Sequence, residues 1–179
     1  PLTIFPLFIK NMFGAKIKVV HGYKGTNEVN LGMQNGELSG TCGMYESTVR
    51  GAFSQSFGSG NLVMFVQLGL KDKVPLFGQA TNIFDMLKTE EDKKIARLVF
   101  GPAEITRPLA APPGTPKERV AALRKAMLDT MKDPAMIADG KRIKVEFTPI
   151  PGEEVAQAFE EYFTTPKALV DKAYEYISK

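Results

Sequence analysis

The chain has 179 residues, 44% of them hydrophobic and 24% charged, so it is long enough for one good core or two small ones and too apolar for wholesale disorder. The net charge of +3 is mild, and the basic residues are interspersed with acids, as in Lys88-Thr89-Glu90-Glu91-Asp92-Lys93-Lys94; without a basic stripe and interleaved aromatics, nucleic acid is a poor first partner. One cysteine, Cys42, excludes an intrachain disulfide, and no apolar run reaches the ~18 residues a membrane helix needs.

Residues 2–13 place Leu2, Phe5, Phe8, Ile9 and Met12 at helical spacing, with Pro6 limiting where the helix starts and Gly14 ending it. The opening Pro1-Leu2-Thr3-Ile4-Phe5 is already apolar and has no secretion-signal pattern, which suggests that chain precedes it. Lys16-Ile17-Lys18-Val19-Val20 reads as a strand between glycines. Thr26 is placed to cap the next helix, which carries Val29 and Met33 on one face and stops at Asn35-Gly36. The small-residue run Leu38–Met44 then reads as a second strand. Strand, helix and strand in this order predict a βαβ unit and a parallel sheet.

Residues 45–60 read as helix or loop. The nearly all-apolar Leu62–Leu68 fits a strand covered on both faces. Helices are predicted near 81–87 and after Thr89, with Asp92 at the reciprocal capping position. Residues 101–116 contain five prolines, which favour an extended crossing between domains. Thr115-Pro116 with Glu118 then starts a helix with Val120, Leu123, Met127 and Met131 inward. Asp133-Pro134 and Thr165-Pro166 repeat the cap-then-proline start. Ile143, Val145 and Phe147 alternate with Lys144, Glu146 and Thr148 as a half-buried strand. The last helices carry Val155, Phe159 and Phe163, then Leu169, Val170, Ala173 and Ile177.

Catalytic signatures are sparse. One histidine, His21, and one cysteine exclude a His/Cys metal cluster, and no serine sits in a G-x-S-x-G elbow. Cys42 lacks a neighbouring base in the sequence, and Glu90, Glu91 and Asp92 are explained by the dipole of a helix start. The expectation is a protein that is not an enzyme and carries no cofactor or metal. The turn Gly22-Tyr23-Lys24-Gly25-Thr26-Asn27-Glu28 is more informative. It is neither a phosphate-binding loop of the Walker type nor a dinucleotide fingerprint. Two glycines allow close backbone approach, and free N–H groups at a helix start attract an anion. In a parallel sheet this turn and Gly43-Met44-Tyr45-Glu46-Ser47 lie side by side at the strand ends, where ligands bind.

Several segments recur in one order: Val19-Val20-His21-Gly22-Tyr23-Lys24-Gly25-Thr26-Asn27-Glu28, Gly36-Glu37-Leu38-Ser39-Gly40-Thr41-Cys42-Gly43, Val66-Gln67-Leu68-Gly69, Arg107-Pro108-Leu109-Ala110-Ala111-Pro112-Pro113-Gly114-Thr115-Pro116 with Arg119-Val120-Ala121-Ala122-Leu123-Arg124, and Met131-Lys132-Asp133-Pro134. Together, over residues 14–155, they resemble the substrate-binding subunits of tripartite tricarboxylate transporters, the Bug or TctC-type receptors.

The resemblance implies an α/β fold of the periplasmic type II binding-protein kind, a parallel-rich sheet flanked by helices. Residues 1–101 would form the second, ligand-facing lobe. Residues 102–116 would be the crossover or hinge, and residues 117–179 the C-terminal segment that completes the first lobe. Members are longer than this chain, which covers their later part. A periplasmic location, a small organic carboxylate as ligand and membrane permease subunits as partners follow from the same likeness. Gly22, Tyr23, Gly25, Thr26, Asn27, Gly43, Tyr45 and Ser47 are the candidate ligand-binding residues. A sensor or interaction module that kept the fold, and an enzyme using Cys42 or His21, are the rival readings.

Overall fold

The computed structural model describes residues 1–69, 74–105, 107–143, 145 and 147–178. It divides into two compact units, one formed by Pro1–Glu46, Leu62–Glu104 and Thr165–Lys179, the other by Ser47–Asn61 and Ile105–Thr164.

In the first unit, helix α1 spans Ile4–Phe13, and Gly14 closes it at φ 65°, the left-handed stop expected of that glycine. Helix α2, Thr26–Gln34, ends as its sequence predicts: Asn35 caps it, Gly36 turns at φ 77°, and the Glu37 amide donates back to the Gly32 carbonyl at 2.8 Å. Helices α3, Glu46–Arg50, and α4, Ser54–Gly58, resolve the helix-or-loop ambiguity as two short helices and, apart from Glu46, belong to the second unit. Strands β1, Val66–Gln67, and β2, Thr81–Asn82, pair in parallel. Helix α5 follows at Ile83–Met86, capped by Asn82, whose side chain accepts from the Phe84 amide at 2.9 Å. Helix α6 runs Glu90–Phe100, and the Thr89 hydroxyl accepts from the Asp92 amide at 3.0 Å, as the capping pattern predicts.

The core of this unit is built where α1, α6 and α10 (Lys167–Ile177) pack together. Phe8, Ile83, Ile95, Ala96 and Phe100 are essentially sealed from solvent. Phe5 and Phe8 each meet Phe100 edge-on with ring centroids 4.9 Å apart, the geometry aromatic quadrupoles favour. The Asn11 side-chain amide donates to the Tyr176 carbonyl at 2.9 Å and ties α1 to α10. A second anchor is polar. The buried Gln67 amide donates to the Phe77 and Ala80 carbonyls and accepts from the Val74 amide, so the connection leading into β2 is held without an unsatisfied polar group.

Two expected strands are absent. Lys16–Val20 and Leu38–Met44 carry no regular secondary structure, so the strand–helix–strand unit around α2 does not form. The first segment keeps a strand's alternation: Ala15, Ile17 and Val19 are half-buried while Lys16, Lys18 and Val20 are exposed. Its apolar side meets the core through Ile17, yet the Ile17 amide bonds locally to the Ala15 carbonyl at 2.8 Å instead of joining a ladder.

The second unit contains helices α7, Lys117–Lys132, α8, Pro134–Arg142, and α9, Gly152–Phe163. Asp133 caps α8 by accepting from the Ala135 and Met136 amides at 2.8 and 3.2 Å. Thr115 does not cap α7. Pro116 holds that position, and the Thr115 hydroxyl donates to the Pro112 carbonyl at 2.7 Å, closing a turn around Gly114. The inward stripe expected on α7 is also not sealed: Leu123 and Met127 are exposed, and α7 has no fully buried residue. Of the half-buried strand expected at 143–148, Lys144 and Glu146 lie outside the described residues, and Ile143, Val145, Phe147 and Thr148 are not in a strand. The Val145 amide donates to the Gly140 carbonyl at 2.8 Å, and a methyl group added at Gly140 would stand 2.5 Å from the Phe147 ring. Arg124 joins α7 to α9 through Glu153 at 2.8 Å and the Gly152 carbonyl at 3.2 Å.

Candidate functional site

The candidate corner is the entry to α2. Gly25 is the cap residue, in extended backbone at φ 175°, so Thr26 is the first helical residue and not the cap assigned to it from the sequence. The Val29 amide makes the first intrahelical bond, to the Gly25 carbonyl at 3.2 Å. The amides of the turn before it have no acceptor within the helix and carry its partial positive charge. Lys24, Gly25, Thr26, Asn27 and Glu28 line an open depression of about 420 Å³ at this point. Thr26 and Asn27 are exposed and Gly25 is half-buried.

Glu28, which the sequence reading did not single out as a site residue, proves central to the corner. Its carboxylate accepts from the Lys24 amide at 2.8 Å. A capping-box acid at this position would reach the amide of the cap itself, Gly25; Glu28 instead reaches one residue further back, to Lys24. The corner therefore already holds one carboxylate oxygen on one backbone N–H. The bond places a negative charge beside the amides at the start of α2. Lys24, exposed on the same turn, supplies the opposite charge.

The other candidates fall into two groups. Gly22 and Tyr23 lead into the corner without lining the depression. Gly22 turns at φ 107°, a conformation that favours glycine. Tyr23 folds back on α2: its hydroxyl donates to Glu37 at 3.2 Å, and its ring lies so close to Gly32 that an added methyl there would be 3.2 Å away. Lost solvation, then the bond to Glu37 and that residue's charge, raise the phenol above its ordinary value. Gly43, Tyr45 and Ser47 contribute nothing to the depression. Gly43 turns at φ 77° against Pro1, where an added methyl would stand 3.0 Å from the proline ring. Tyr45 is exposed in the first unit, and Ser47 is exposed on α3 in the second.

Cys42 packs against the core, and burial pushes its thiol up to about 11. That environment favours the neutral thiol, not the nucleophilic thiolate. Among the described residues no group of three or more His, Cys, Asp or Glu side chains is placed to hold a metal ion, and no helix is long and apolar enough to cross a membrane. Compared with protein-family models, curated proteins and solved structures, the chain matches none.

Proposed function

We propose that the chain is part of an extracytoplasmic solute-binding protein that captures a small organic carboxylate and hands it to the permease subunits of a tripartite tricarboxylate-type transporter. The observation that carries this reading is the entry to α2, where Lys24 to Glu28 line an open depression and the Glu28 carboxylate accepts from the Lys24 amide. The ordered series of segments from Val19 to Pro134 supports the family assignment. In this reading residues 1–101 are the ligand-facing lobe of a type II binding-protein fold, 102–116 the hinge, and 117–179 the return into the first lobe, whose closure over ligand reports the loaded state to the permease in the periplasm. Gly25, Thr26 and Asn27 present amides and a hydroxyl to the carboxylate. Tyr23, Gly43, Tyr45 and Ser47 do not line the depression.

The test is calorimetry of the full-length protein against a panel of mono-, di- and tricarboxylates, aromatic acids and amino acids. Saturable heat with at least one member, accompanied by a thermal shift, is the expected result. Absence of both for every member removes the reading.

A further inference from the structure

We draw no further inference here: the strongest candidate, the apolar stripe that Leu123 and Met127 on α7 and Phe159 and Phe163 on α9 leave exposed in the second unit, is a bare face, and nothing in the structure shows what covers it.

Discussion

The α1–α6–α10 core of the first unit and the α7–α9 helices of the second are written in the same sequence language and end differently. Both carry apolar residues three and four apart. In the first, Phe8 and Phe100 are at most 1% exposed, whereas in the second Leu123 is 61% and Phe163 85% exposed. Periodicity thus specifies the helix and the face that is apolar. Whether the face is sealed depends on a partner surface that the helix's own sequence does not encode. Around α7–α9 the ties are local instead: the Asp133 cap, the Arg124–Glu153 bridge, and Phe147 laid on Gly140.

The sharpest way to break this contrast is truncation in each unit. Phe100→Ala should cost about 3–5 kcal/mol, because it removes two edge-on ring contacts and leaves a cavity. Leu123→Ala should cost about 0.5 kcal/mol or less. Denaturant unfolding of both variants decides it, and equal losses would refute the difference in burial. Next in size is Gly140→Ala. A methyl 2.5 Å from the Phe147 ring and 2.9 Å from the Val145 carbonyl must displace one of them, at about 1–3 kcal/mol. Hydrogen exchange should accelerate at the Val145 amide while the α1–α6–α10 amides keep their protection; a uniform change would place the strain elsewhere. Smaller still, Asp133→Ala should cost about 1 kcal/mol, by loss of the α8 cap. Its signature is fraying confined to the first turn of α8.

Cys42 gives a pH test of the first unit's core. Its thiol stands near 11 when folded against an ordinary value of 9.0. A raised acid favours the folded state while it is protonated, so its contribution is whole below pH 9 and declines as pH climbs toward 11. Stability should therefore fall more steeply over that window in the parent chain than in Cys42→Ala. Parallel curves would mean that the thiol is not buried as described.

What the sequence made legible was local. The stops at Gly14 and at Asn35-Gly36, the Thr89–Asp92 cap and the Asp133-Pro134 start each depend on a few adjacent residues, and each is present. Strands depend on distant partners. Lys16–Val20 shows the cost of that: its half-buried and exposed residues alternate as expected, yet its backbone joins no ladder. Pro116 holds the cap position expected of Thr115, whose hydroxyl donates to the Pro112 carbonyl in the proline-rich turn before the helix. At the site, the location of Gly25, Thr26 and Asn27 was legible from glycines and a helix start. The reach of Glu28 back to Lys24 was not legible: its spacing after Gly25 points to the Gly25 amide, one residue nearer.

The carboxylate corner is tested most directly by removing one amide without disturbing the helix. Thr26 is the first residue of α2, where proline is tolerated because its missing N–H has no intrahelical acceptor. Gly25 ahead of it is already extended, as a residue before proline prefers. Thr26→Pro should therefore leave circular dichroism and melting temperature unchanged. In titration calorimetry of the full-length protein with the carboxylate that binds best, it should weaken affinity about tenfold, the worth of one charge-assisted hydrogen bond. Unchanged affinity in a folded Thr26→Pro protein would contradict the assignment of the α2 entry as the place where the carboxylate is held.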